Sequence, residues 1–237
     1  RDTIEGFAQR YTNEISKRIR ACTSHSEASY TPADFPLATI DQNQLDELLE
    51  ECGPVDDIYR VTSLQHGMLF HSLFAGEKDT YFARFRWRLS GALDSVAFGK
   101  AWQDVINRIS SLRTSFHWEG FSEPVQVVHR DITVNMSQED WSNESPDVQE
   151  TKLAEFLRAD EARRFDFSVA PLMRLALVDL GEDDHHFIWS FHHAIIDGWS
   201  VPLILKEVFA VYAEAIGGQP TTLTKPKPFS NYIHWLD

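Results

Sequence analysis

The stretch DHHFIWSFHHAIIDGWS, residues 184–200, decides how this chain folds. Its first part is apolar, aromatic and free of glycine and proline, which predicts a strand over 185–192. From Ser200 the spacing turns helical, and Gly217-Gly218 ends a helix at about 200–216. Adjacent residues of a strand face opposite sides, so His192 and His193 cannot both aim at one ligand while the strand lasts. With His193 as the first residue past it, the imidazole projects into the cleft at the strand's end, a common place for α/β active sites. Asp197 and Gly198 make the turn into the helix, and Gly198 permits a backbone with positive φ. Three roles are open to Asp197: orienting His193, capping the helix, or pairing with a buried arginine.

Working outward, a strand at 172–180 and the turn Gly181–Asp184 precede this segment, predicting a hairpin. Further back, Ser145-Pro146 opens a helix to about Arg164. Strands are expected at 112–118, 124–129 and 132–136, and a helix over 94–109. Residues 81–89 alternate as a strand with a largely basic face, Arg84, Arg86 and Arg88. Thr62 and Gln65 form a T-x-x-Q capping box ahead of Leu64, Met68, Leu69 and Leu73. The order β-α-β-β-β-α-β-β-α makes a mixed α/β layer structure and not a regular βαβ series. At the N-terminal end, residues 3–21 read as an amphipathic helix, 23–36 as a linker, and Asp41 with Gln44 as the cap of a short helix with Leu45, Leu48 and Leu49. This first block, 1–54, has too little apolar surface to fold alone and is expected to dock on something.

Composition narrows the function. Lys and Arg number 22 against 36 Asp and Glu, a net charge of −14. No basic stripe is present to neutralise nucleic-acid phosphates. No run of 18 apolar residues suits a membrane span. Cys22 and Cys52 are the only cysteines, which fits a reducing cytoplasm and no disulfide framework. Neither G-x-G-x-x-G nor the P-loop pattern occurs.

The chemistry narrows similarly. A zinc site needs more ligands at defined spacing; His185 and His186 sit roughly 20 Å from His193 at about 3.3 Å per residue. A Ser-His-Asp hydrolase wants a G-x-S-x-G elbow, and there is none. A histidine without a protein nucleophile suits acyl transfer, in which an acceptor on the substrate attacks directly and His serves as general base or orienting group.

H-H-x-x-x-D-G, here His192 to Gly198, resembles the signature of nonribosomal peptide synthetase condensation domains and of the wider chloramphenicol acetyltransferase-like acyltransferases. Other blocks follow the family's order: DIYRVTSLQHGMLFHSL (57–73), RISSLRTSF (108–116), ARRFDFSVAPLMRLALV (162–178) and PFSNYIHWL (228–236). Ile109 and Ser110 depart from the usual second block, and Ser63 and His66 from the first; the signature itself is intact. The resemblance implies a mixed-sheet sandwich lobe, half of a two-lobed domain: 1–54 helix and interdomain linker, 55–220 first lobe, 221–237 a crossover towards a second lobe. It implies peptide-bond formation between substrates carried on the phosphopantetheine of upstream and downstream peptidyl carrier domains, with no cofactor on this chain. By position, His193 is the catalytic histidine and Gly198 offers its N–H to the carbonyl oxygen. His192, Asp197, Trp199 and Ser200 support the site. Asp197 is expected to pair with an arginine, Arg113 in preference to Arg174.

Q-x-G-M-L-F-H, and the opening TPADFPLATIDQNQLDELL (31–49), resemble condensation domains that follow an epimerisation domain and accept a D-configured donor. Two other functions stay in view: a non-catalytic docking module of the same fold, and a free-standing acyltransferase using coenzyme A.

Overall fold

The computed structural model describes residues 2–24, 30–74 and 79–236. Seven strands form two sheets among these residues. β1 (Val55–Arg60), β3 (Thr114–His117) and β4 (Val125–His129) make a three-stranded antiparallel sheet in the order β1-β4-β3. β2 (Phe82–Ser90), β5 (Met136–Asp140), β6 (Met173–Gly181) and β7 (Asp184–His192) make the second, ordered β2-β7-β6-β5. In it β5 runs parallel to its neighbour β6, and the other pairings are antiparallel.

β6 and β7 form the expected hairpin. Glu182 and Asp183 both have positive φ, 53° and 57°, the conformation whose twist matches that of paired strands. β7 lies in the middle of its sheet, and one face packs against α4 (Ser95–Arg108) and α6 (Ser200–Ala215). Trp102, Trp189, Phe98, Phe187 and Phe191 fill this core, with Trp102 and Trp189 edge-to-face at 4.8 Å. The opposite face carries Ala176, Val178 and Ile188 under Leu153 of α5 (Pro146–Ala162) and under Trp141, which follows β5. Two arginines of the basic side of β2 are engaged there: Arg84 donates to the Leu157 carbonyl and lies 3.6 Å from Asp160, and Arg88 pairs with Asp184.

Three expectations are corrected. The strand placed at 132–136 begins only at Met136, because the side chain of Gln103 occupies the Ile132 carbonyl (2.7 Å) and the Val134 amide (2.9 Å). The strand expected from residue 112 begins at Thr114, after a 3₁₀ turn over Ser110–Arg113. β1 is absent from the expected elements: its consecutive aspartates hide a strand, and the pairing with β4 is irregular between Val55 and Asp57.

The N-terminal block divides. α1 (Asp2–Ser24) leaves Ile4, Phe7, Tyr11 and Ile15 exposed. Residues 25–29, within the expected linker, lie outside the described residues. From Tyr30 the chain is packed. The capping box of Asp41 and Gln44 starts α2 (Gln42–Cys52), and Phe35, Leu45 and Leu48 are buried on Val55, Ile58, Val125 and Val127. Gln44 also reaches the Gly120 carbonyl at 2.6 Å. The partner on which this block docks is the three-stranded sheet. At the other end, Ile233 of α7 (Ser230–Trp235) and Phe229 just before the helix pack on Tyr59 and Val128. No described helix is long and apolar enough to cross a membrane.

Candidate active site

β7 ends at His192, so His193 is the first residue past the strand. Its amide donates to the Tyr81 carbonyl at 2.9 Å, fixing the backbone beside β2. The half-buried ring stands edge-on to Phe191, with centroids 5.6 Å apart. Nδ1 lies 3.1 Å from the Ile196 carbonyl. A carbonyl only accepts, so Nδ1 carries the proton and the neutral ring keeps its lone pair on Nε2. No described residue is hydrogen-bonded to Nε2. The arrangement leaves Nε2 without a described partner at a strand end, with the ring held through Nδ1 by its own loop.

His192 is fully buried and points the other way. Its Nδ1 accepts from the Ala194 amide at 3.1 Å, which puts the proton on Nε2. Nε2 lies 3.0 Å from the Ser72 hydroxyl of α3 (Ser63–Phe74) and 3.4 Å from Asp79. Ser72 donates to Asp79 at 2.7 Å, as does the Tyr81 amide at 3.0 Å. Burial raises the Asp79 carboxyl, but the hydrogen bonds from His192, Ser72 and Tyr81 outweigh it and hold the pKa down at about 2. Sequence reasoning missed Ser72 and Asp79; neither stands in a spacing that marks it.

Asp79 therefore stabilises the fold as an anion. Its folded pKa lies below the ordinary value of about 3.9, so the contribution is complete above that pH and is lost as pH falls through about 2. Asp79→Ala is expected to cost about 1–3 kcal/mol at pH 7 by leaving buried donors unpaired. Urea denaturation at two pH values checks this. The deficit should shrink by about half at pH 3; an undiminished deficit there would remove the ionic role.

Among the described residues, the expected arginine partner of Asp197 is not observed. Asp197 lies at the exposed start of α6, where its carboxylate accepts from the Ser200 amide at 2.8 Å and hydroxyl at 2.6 Å. The Ser200 hydroxyl bond is the main influence holding its pKa below the ordinary range. Of the three open roles neither an arginine pair nor a bond to His193 is seen among the described residues; the carboxylate instead holds Ser200, the first residue of α6, while the N-cap position is Trp199. Arg113 is buried and bonded to Asp56 at 2.9 Å and to the His129 carbonyl. Arg174 is engaged by Asp160 at 2.8 Å, with its guanidinium 4.1 Å over the Phe165 ring. Gly198 is not in the left-handed region either. A Cβ there would meet nothing within 4 Å, and no described group is hydrogen-bonded to its N–H. Trp199, expected to help set the loop, is 86% exposed.

The loop is also held from α3. Gln65 Nε2 donates to the Ala194 carbonyl and to Gln126 Oε1, both at 3.1 Å, and Gln126 returns a bond at 3.0 Å. Gln65 was legible as a helix cap and Gln126 only as the polar residue of PVQVVH; nothing in their spacing links them to His193.

The sequence and the fold have known counterparts. The family model described as Condensation domain matches residues 55–237. The chain belongs to the condensation-domain family. The condensation domain is 41% identical over 234 residues to one of the linear gramicidin synthase proteins of Brevibacillus parabrevis, covering 99% of this chain and 5% of that protein. It is 33% identical over 237 residues to bacitracin synthase 3 of Bacillus licheniformis, covering 99% and 4%. The chain thus spans a small fraction of these synthetases. Among solved structures, the fold matches the starter condensation domain of rhizomide synthetase with a TM-score of 0.66 at 21% identity, covering 76% of this chain and 45% of that one. The EpoB NRPS cyclization-docking bidomain from Sorangium cellulosum matches at 0.65 and 18%, covering 80% and 36%. The mixed-sheet lobe expected from the sequence is the observed fold.

Proposed function

We propose that this condensation domain joins a carrier-bound acceptor to a carrier-bound donor through a peptide bond. The observation that carries the reading is the free Nε2 of His193 at the end of β7, fixed by the bond from Nδ1 to Ile196. The acceptor's amine attacks the donor thioester carbonyl, and a C–N bond forms. The C–S bond breaks, the phosphopantetheine sulfur leaves as a thiol, and the amine gives up one proton. His193 orients the amine or takes that proton, and the Gly198 N–H stabilises the negative oxygen of the tetrahedral intermediate. Asp197, Ser200 and His192 shape the loop and touch no substrate.

Donor and acceptor arrive on the phosphopantetheine arms of upstream and downstream carrier domains in the cytoplasm, and a second lobe completes the walls of the site. The Q-x-G-M-L-F-H block and the segment after Tyr30 support a donor that is D-configured after an upstream epimerisation domain. The test uses the complete domain in its synthetase, with D- and L-configured donor thioesters and a loaded acceptor carrier. Amide product dependent on His193, and faster from the D-donor, is the expected result. Product independent of His193 would leave a docking module; coenzyme A thioesters outcompeting carrier-bound donors would leave a free-standing acyltransferase.

A further inference from the structure

We infer that Gln65 is a positioning residue for the catalytic loop, acting through the Ala194 carbonyl. The inference rests on His193 being the catalytic group. Loop 193–196 is held at five points. The His193 amide goes to Tyr81, the Ala194 amide to His192 Nδ1 and the Ile195 amide to the His192 carbonyl. The Ile196 carbonyl takes His193 Nδ1, and the Ala194 carbonyl takes Gln65. Four of these contacts are made by residues 81 and 192–196 themselves. The fifth, from Gln65, ties the loop to the first helix of the lobe and, through Gln126, to the three-stranded sheet.

The chemistry requires an amide at residue 65. Oε1 accepts from the Thr62 amide at 2.9 Å, the Thr62 hydroxyl at 3.0 Å and Gln126 Nε2 at 3.0 Å. Nε2 spends one hydrogen on Ala194 and one on Gln126. This network fixes the amide orientation, since the flipped group would set an oxygen against the Ala194 carbonyl and a nitrogen against the Thr62 N–H. Gln65 and Gln126 are 7% and 1% exposed, so water does not replace these bonds. A capping box is served equally by Glu or Gln. The helix cap therefore does not demand the amide; the two acceptors of its hydrogens, the Ala194 carbonyl and Gln126 Oε1, do. A shift of about 1 Å in a positioned group costs about 100-fold in rate, and loss of this anchor frees the residue that follows His193.

The experiment compares Gln65→Glu, Gln65→Met and Gln126→Glu in the complete domain within its synthetase. Gln65→Glu keeps the cap acceptor and removes the donor to Ala194. Gln65→Met keeps the length without burying a charge, in case the glutamate variant does not fold. Gln126→Glu disturbs the same buried pair but leaves Gln65 Nε2 free to hold Ala194. The expected result is a fall in kcat of about 10–100-fold for the Gln65 variants with KM little changed. Gln126→Glu should lose similar stability in urea yet keep kcat within a few-fold of the parent. Equal kcat losses in the Gln65 and Gln126 variants, tracking their stability, would overturn the inference, as would a Gln65→Met enzyme with parental kcat. His193→Ala assayed alongside separates the two claims. Activity without His193 defeats the proposed function; inactivity without His193 together with unimpaired Gln65 variants defeats only the role of Gln65.

Discussion

Replacement of His193 by alanine is expected to lower amide formation by about 10²–10⁴-fold, the usual contribution of a positioned general base. Loading of the carrier domains should be unchanged, because His193 makes no contact on which the fold depends beyond its own loop: its side chain bonds only the Ile196 carbonyl among the described residues. The comparison that gives this prediction its force is His192→Ala. The two histidines are adjacent but do opposite work. His192 is sealed against Phe167, with ring centroids 4.8 Å apart, and is tied to Ser72, Asp79 and Ala194. Its loss leaves a cavity and a buried carboxylate short of a donor, so the His192 variant should fail by lowered stability. Product formation by intact protein mass spectrometry, with urea denaturation of both variants, distinguishes them. A His193→Ala domain that is fully folded and fully active would end the catalytic assignment. So would one whose entire loss of activity is accounted for by unfolding.

Removal of residues 1–54 is expected to unfold the lobe or leave it severely destabilised, whereas removal of 1–24 should be nearly silent. Phe35, Leu45 and Leu48 are 0–3% exposed and cover Val55, Ile58, Val125 and Val127 of the three-stranded sheet. At about 1.5–3 kcal/mol per fully buried side chain, the three residues contribute roughly 5–9 kcal/mol. That is comparable with the total stability of an ordinary domain, about 5–15 kcal/mol. By contrast Ile4, Phe7 and Tyr11 of α1 are more than 60% exposed, so their loss uncovers nothing in this lobe. Thermal denaturation of the complete domain with each truncation decides the matter. An unchanged midpoint after removal of 1–54 would show that the sheet does not need this cover. The family model begins at residue 55, yet the synthetase relatives match from well before it. Among the described residues, packing onto this sheet is seen from Tyr30 onward, well before residue 55.

Much of the fold was readable because its signals are local. The alternation in β2, the Ser145-Pro146 helix start, the turn between β6 and β7 and both capping boxes each lie within a few residues of chain. β1 escaped because Asp56 and Asp57 interrupt its apolar pattern; it exists because β4 pairs with it. The strand expected at 132–136 failed for the converse reason, since its backbone groups are taken by Gln103 of α4, about thirty residues earlier. Asp197 shows the limit most directly. The sequence allowed a cap or an arginine, and the resemblance favoured Arg113. Arg113 is instead held by Asp56 of β1, a strand of the other sheet from the one that leads into loop 193–196.

By itself the sequence determined that a strand ends at a histidine pair, that His193 follows it, that a D-G turn opens a helix, and that the blocks around them are those of a condensation domain. The first three rest on periodicity and turn chemistry, and the last on the resemblance of those blocks, in their order along the chain, to the family's motifs. Only the tertiary structure decided what holds the histidines in place: Ser72 lies 120 residues from His192, and Gln65 lies 129 residues from Ala194. Buried polar groups must find partners wherever the packed chain brings them. Which partner each finds is set by how the sheets and helices stack, and spacing along the sequence carries no record of it.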